Sequence, residues 1–245
     1  MYELILIRHG ETIFNSQERL QGGQDSALTK RGEEEAQKLG AAMRSFCGPI
    51  HAWYVSPQGR ARQTSGIIRS ELGPDHGAPG TRLPEERAHD AIVEIRCGDW
   101  EGLRRDEIPP AELKRVHLST HEAYPNGESI ADVSKRCEAF LKEWQTSLPA
   151  LAELQADPKL TSAAGVHRTV VVSHGNLIRC LGGALSGLGP DFAVRAMKNN
   201  TAVSRFFIRE HPAGTTGVVD HTPMYRMLTW NNISHLHGGD PFFSV

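Results

Sequence analysis

LILIRHG occupies residues 4–10, and VVVSHG occupies residues 170–175. Each is an unbroken apolar run that ends in one or two polar residues and a His-Gly pair. Runs apolar on both faces predict central parallel strands covered by helices on either side. Ligands of open parallel sheets bind beyond the carboxyl ends of the strands. If these two strands are neighbours, Arg8, His9 and His174 converge on one spot. Gly10 and Gly175 are expected to permit tight turns there, with the following backbone N–H groups facing an anion. One guanidinium and two imidazoles suit a phosphoryl group, whose oxygens need fixed donors and compensating charge.

Between the two runs the sequence alternates strand and helix patterns. Residues 29–46 place Ala36, Leu39, Met43 and Phe46 at helical spacing behind Thr29 as N-cap. A short strand over 51–55 leads to Ser56-Pro57, read as N-cap and first helical position of a helix running to about Leu72. Residues 71–86 are rich in Gly and Pro and read as loop, and 99–127 as an irregular excursion. Ser129 and Asp132 form a capping box ahead of a stripe through Ile130, Val133, Cys137, Phe140, Leu141, Trp144 and Leu148. After a polar connection at 155–167, a buried strand over Thr169–Ser173 precedes a helix from Asn176 to Leu188. Two further strands, near 202–208 and 224–230, extend the sheet at its edge. The expectation is a single domain over 1–245, a three-layer α/β/α sandwich with a mostly parallel sheet.

Composition narrows the function. A net charge of −2 gives no general case for nucleic acid or anionic membrane, so an anion site must be built locally. Cys47, Cys97, Cys137 and Cys180 are widely spaced and read as reduced thiols of a cytoplasmic protein. No stretch approaches the roughly 18 apolar residues of a membrane span. His235-x-His237 could chelate a metal, yet no carboxylate cluster accompanies it.

More residues join the His-Gly ends. Arg60 falls in the first turn of the Ser56-Pro57 helix, where it could complete a phosphate pocket. Glu94 lies in a loop returning to the same face, a candidate general acid and base. RHGET at 8–12 with Asn15, SPQGRARQT at 56–64, EIRCGDWEG at 94–102, NGES at 126–129 and VVVSHGN at 170–176 follow one another in order. With these five pieces the sequence resembles the histidine phosphatase superfamily, also called the phosphoglycerate mutase-like family, from Leu4 to about Ser204.

The resemblance implies a role for each residue. His9 would be the nucleophile, forming a phosphohistidine that water hydrolyses. Arg8, Arg60 and His174 would hold the phosphoryl oxygens, and Asn15 would add a neutral hydrogen bond. Glu94 would protonate the leaving oxygen and later activate water, which calls for a raised pKa. Gln21, Gly22, Gly175 and Asn176 are further expected contacts to a small phosphorylated substrate. Neither a cofactor nor a metal is called for.

The same site serves phosphatases and mutases. Phosphoglycerate mutases carry a Glu-Arg-His-Tyr-Gly pattern around the acid, whose arginine binds substrate carboxylate, and a longer insertion after it. Here Ile95 follows Glu94, and about 30 residues separate Glu94 from Gly127. The sequence therefore favours a phosphatase, with the mutase as alternative and a non-catalytic phospho-ligand binder as a third reading. Arg96, Arg104 or Arg105 could still reach the substrate from another direction. Specificity is expected in loops 18–25 and 99–127, and an exposed edge strand would allow a homodimer.

Overall fold

The computed structural model describes residues 1–78, 80–150, 165–209 and 224–237. Six strands form one sheet: β1 (Tyr2–Arg8), β2 (Ala52–Val55), β3 (Glu86–Ala88), β4 (His167–Ser173), β5 (Val203–Arg209) and β6 (Met224–Asn232). Their spatial order is β3-β2-β4-β1-β5-β6. β3, β2, β4 and β1 run parallel, whereas β5 and β6 are antiparallel at one edge. The two His-Gly strands are direct neighbours in register, Arg8 opposite Ser173.

Alternation of side chains across the pleat divides the core in two. Leu4 and Leu6 of β1 and Val171 of β4 face one apolar cluster, and Ile5, Ile7, Val170 and Val172 face the other. Helices α2 (Lys30–Phe46) and α3 (Gly59–Leu72) cover the second face. The first is covered by α5 (Ile130–Thr146), α6 (Gly175–Ser186) and α7 (Pro190–Arg195). The fold is the expected α/β/α sandwich.

Local chemistry sets most boundaries. Thr29 caps α2 through the N–H of Gly32, and Ser129 and Asp132 form a complete capping box on α5. Leu148 lies beyond the end of α5 but still packs on its cluster. Three expectations need correction. The helix expected at Ser56-Pro57 begins at Gly59, because the carboxylate of Asp25 accepts from the N–H groups of Gly59 and Arg60 and caps it from another loop. The 99–127 excursion holds the nine-residue α4 (Pro110–Leu118), whose Pro109-Pro110 pair starts the helix rather than breaking it. The loop assigned to 71–86 ends in β3, a three-residue edge strand too short to leave a periodic signal. The polar connection at 155–167 falls mostly outside the described residues, although β4 already begins at His167. A one-turn helix α1 (Ile13–Ser16), capped by Thr12, completes the set.

Candidate active site

β1 and β4 bring His9 and His174 together with ring centroids 5.2 Å apart. His9 is 2% exposed, and its backbone N–H donates to Ser173 O at 2.9 Å. Its Nδ1 lies 2.8 Å from Gly10 O, and a carbonyl can only accept, so Nδ1 carries the proton. The lone pair is therefore on Nε2. Burial, with Arg8 and Arg60 adding to it, holds the His9 pKa well below the usual histidine range. The imidazole is neutral and nucleophilic at physiological pH.

Glycine at 10 and 175 has a reason other than the one expected. Neither residue has a positive φ. A Cβ on Gly10 would stand 2.5 Å from the carbonyl oxygen of Gly32, and one on Gly175 would stand 2.7 Å from Cδ of Lys198. The α2 backbone demands glycine at 10, and the Lys198 side chain packs closely over Gly175. Gly10 N–H donates to Thr64 Oγ1 at 3.0 Å, which ties the loop after His9 to α3.

The two arginines differ in how far they are committed. Arg8 donates Nη1 to Lys198 O at 2.7 Å, and its buried Nε has no partner among the described residues. Burial pushes its pKa down to about 10, still far above neutrality. Arg60, 1% exposed, donates Nε to His174 Nδ1 at 3.1 Å and Nη1 to Gln24 O and Asp25 Oδ1 at 2.8 and 2.9 Å. Its Nη2 donates to Gly22 O at 2.9 Å. Of the five guanidinium N–H donors, one on Nη2 remains. Because His174 Nδ1 accepts from Arg60, its Nε2 carries the proton and donates to Ser56 Oγ at 2.8 Å. Both ring nitrogens of His174 are engaged, and burial with Arg60 keeps the ring neutral.

Glu94 occupies the start of α6. Its Oε2 accepts from Asn176 N at 3.2 Å, and its Oε1 from Ile95 N and Leu177 N at 2.9 and 3.3 Å. The amides expected to face a phosphoryl group past Gly175 thus hold a carboxylate of the protein itself. Burial pushes the Glu94 pKa up, but Lys198, these amides and Arg60 outweigh it, and the net shift is downward. The expected rise is not found: without substrate, Glu94 is ionised.

Asn15, Gln21, Gly22 and Asn176 line the same small cavity, of about 80 Å³, as Arg8, His9, Arg60 and Glu94. Asn15 Oδ1 accepts from Asn200 Nδ2 at 3.2 Å, leaving its own amide N–H groups available. Gln21 is buried, donating Nε2 to Ser26 Oγ at 2.8 Å and accepting from Thr12 Oγ1 at 3.3 Å. Gly22 also gives its carbonyl to Arg60 Nη2.

Several supporting residues escaped the sequence reading. Arg136 of α5 donates to the carbonyls of Ala91, Val93 and Glu94 at 2.8, 2.7 and 3.1 Å and so fixes the Glu94 loop. Gln58 receives Glu94 N–H on Oε1 at 2.8 Å and donates Nε2 to Gly22 O at 2.9 Å. Glu101 Oε1 accepts from both Gly23 N and Cys97 N, at 2.8 and 3.0 Å, joining the 21–24 loop to the Glu94 loop. Lys198 and Asn200 precede β5. An antiparallel strand after β1 starts where β1 ends, so a polar run ahead of it was the available signal.

His235, by contrast, is buried, with Nε2 3.1 Å from Thr201 Oγ1, so that nitrogen is already occupied. Among the described residues no group of three or more His, Cys, Asp or Glu could hold a metal, and no helix is long and apolar enough to cross a membrane. The four cysteines are free and buried.

Comparison with known proteins bears on the chain as a whole. Residues 4–221 match the family model described as histidine phosphatase superfamily (branch 1). A probable phosphoglycerate mutase GpmB from Enterobacter sp. (strain 638) is 32% identical over 226 residues, covering 89% of this chain and 91% of that relative. A phosphoserine phosphatase mutant from Entamoeba histolytica, solved with phosphoserine, is 25% identical with TM-score 0.68, over 96% of this chain and 100% of that one. A mycobacterial glucosyl-3-phosphoglycerate phosphatase shares the fold, at 24% identity and TM-score 0.72, over 94% of this chain and 98% of that one.

Proposed function

The chain belongs to the histidine phosphatase superfamily, and we propose that within it this protein is a metal-independent phosphomonoesterase acting on a small phosphorylated metabolite through a phosphohistidine. The observation that carries the reading is His9 itself: neutral, its Nδ1–H fixed by Gly10 O, and its Nε2 lone pair facing a cavity shared with Arg8.

Nε2 of His9 attacks phosphorus, and the bond from phosphorus to the ester oxygen breaks. Arg8 supplies most of the charge compensation because its guanidinium retains free donors; Arg60 adds its remaining Nη2 N–H. His174 acts through Arg60, whose Nε it accepts. The leaving oxygen takes a proton from Glu94. Since Glu94 is ionised before binding, that proton arrives with the substrate. A phosphomonoester has its second pKa at about 6 and is partly monoanionic at neutral pH, so it can pass its proton to the carboxylate. The same carboxylate then takes a proton from the water that attacks phosphohistidine, and inorganic phosphate leaves with His9 restored.

Ile95 favours hydrolysis over transfer between hydroxyls. It is 1% exposed and packed in the core, so the position after the acid offers no side chain to a substrate carboxylate. Mutase activity is the second reading, favoured by the names of relatives over 30% identical. The test is phosphate release from a panel of phosphomonoesters with EDTA present, wild type beside His9→Ala, with 2-phosphoglycerate formation from 3-phosphoglycerate followed in parallel. Hydrolysis lost in His9→Ala supports the phosphatase. Rapid isomer formation with little free phosphate overturns it in favour of the mutase.

A further inference from the structure

Two of the four cysteines face each other across a helix interface. Cys137 of α5 and Cys180 of α6 are buried, and their thiols are hydrogen-bonded to one another. Each also reaches the opposite helix, Cys137 Sγ donating to Leu177 O and Cys180 Sγ to Ile130 O, both at 3.8 Å. The other two stand apart: Cys47 ends α2, Cys97 lies in the Glu94 loop, and burial pushes both thiols up to about 12. Cys180 goes the other way. Its contact with Cys137, then Ser134 and Arg179, outweighs burial and brings the thiol below the ordinary cysteine value. When Cys180 ionises, the S–H of Cys137 can turn from Leu177 O to the new thiolate.

A cavity of about 230 Å³ borders the catalytic one, and Ile130, whose carbonyl Cys180 reaches, lines it together with Asn176 and Arg179. Water takes about 30 Å³ per molecule, so the cavity has room for a reagent as small as hydrogen peroxide. The pair also lies between the two supports of Glu94. Arg136, next to Cys137 in sequence, donates to the carbonyls of Ala91, Val93 and Glu94. Asn176 N and Leu177 N, within about one turn of Cys180, bind the carboxylate. Leu177 thus gives its N–H to Glu94 and its carbonyl to Cys137.

We propose that Cys137 and Cys180 form a peroxide-reactive pair, which closes to a disulfide between α5 and α6 and disturbs the hold on Glu94. The Cys180 thiolate attacks one oxygen of hydrogen peroxide, the O–O bond breaks, and sulfenic acid and hydroxide result. Cys137 sulfur then attacks the sulfenic sulfur; the S–S bond forms, the S–O bond breaks, and the departing hydroxide takes the Cys137 proton. Two thiols and one peroxide give one disulfide and two waters. An S–S bond of about 2.05 Å is far shorter than a hydrogen-bonded contact between sulfurs, so closure draws the helices together and removes the S–H from Leu177 O. The site stands whatever the enzyme acts on; only its effect on rate rests on the phosphomonoester reading, through Glu94.

Reduced wild-type protein treated with hydrogen peroxide, then unfolded, alkylated and digested, tests this by mass. A peptide pair linked through Cys137 and Cys180 should appear, with Cys47 and Cys97 still alkylated. Cys137→Ser should stop at a sulfenic acid on Cys180, captured by dimedone. Oxidised wild type should lose about tenfold in kcat/KM on its best ester, roughly one hydrogen bond to a charged group, and recover in dithiothreitol. Cys180→Ser should keep its rate in peroxide. Both cysteines recovered reduced, at an exposure that converts the exposed Met197 to sulfoxide, would overturn the pair. A linkage that leaves the rate unchanged would overturn the coupling to Glu94. Failure of the phosphatase reading has a separate signature: the reduced protein releases no phosphate from any ester, while the linkage still appears by mass.

Discussion

At the end of β1, His9 turns Nδ1 to its own loop, and among the described residues neither its Nε2 nor Nε of Arg8 beside it has a hydrogen-bond partner. At the end of β4 the same His-Gly pair is held at both nitrogens, by Arg60 and Ser56. Arg60 in turn is held by Gln24, Asp25 and Gly22. Identical dipeptides on adjacent strands therefore make two unlike halves. The β1 half keeps unused valences at the cavity, and the β4 half is a framework that fixes one guanidinium. The lesson is that a reactive group is recognised by the hydrogen bonds it lacks.

Substitutions should reveal the asymmetry. His9→Ala should lower kcat by a factor of about 10^4 or more, as loss of a covalent nucleophile does. Arg8→Ala should cost about a hundredfold to a thousandfold in kcat, the usual loss for a preorganised transition-state donor. His174→Ala should cost less than Arg8→Ala, because it acts through the position of Arg60. Asp25→Asn keeps a cap oxygen for α3 but removes the charge opposite Arg60 Nη1, and should cost about tenfold in kcat/KM, roughly one hydrogen bond to a charged group. If His174→Ala equals His9→Ala in steady-state rate, the distinction between the halves fails.

Acid should reveal it as well. The depressed pKa values of His9 and His174 mean that the unfolded chain takes up protons on these rings below about pH 6.5 while the folded chain does not. Stability is then full above that pH and declines as pH falls toward the folded pKa values. His235, pushed down to about 4 by burial and then His237, adds to the same slope; its share is at most about 3 kcal/mol between pH 6.5 and 4. Urea midpoints measured across that range for wild type and His235→Gln should diverge, the variant losing less. Activity should persist below pH 6.5, since His9 remains neutral there; a loss of kcat/KM centred on 6.5 would show an ordinary histidine.

Much of the reactive half was legible in the sequence. An apolar run ending in Arg8-His9-Gly10 declares a buried strand and its polar carboxyl end, and five ordered motifs declare the family. What stayed hidden was contact between distant segments. Nothing near Gly59 announces that Asp25 caps its helix, and the local Ser-Pro signal pointed two residues too early. Nothing near Glu94 announces Arg136, some forty residues later, holding its backbone, nor Lys198 helping to keep it ionised. The motif glycines were visible, but their cause was not: it is the approach of Gly32 and Lys198, a fact of packing and not of the turn.

The central claim, that the β1 histidine reacts and the β4 histidine supports, is tested most directly by trapping the intermediate. Wild-type protein would be mixed with a turned-over phosphomonoester in EDTA, quenched in base and digested for mass spectrometry. The account predicts an acid-labile phosphoryl group on the peptide containing His9, absent from His9→Ala and retained, at reduced occupancy or rate, in His174→Ala. Phosphorylation of His174, or hydrolysis with no phosphohistidine formed in rapid quench, would contradict it.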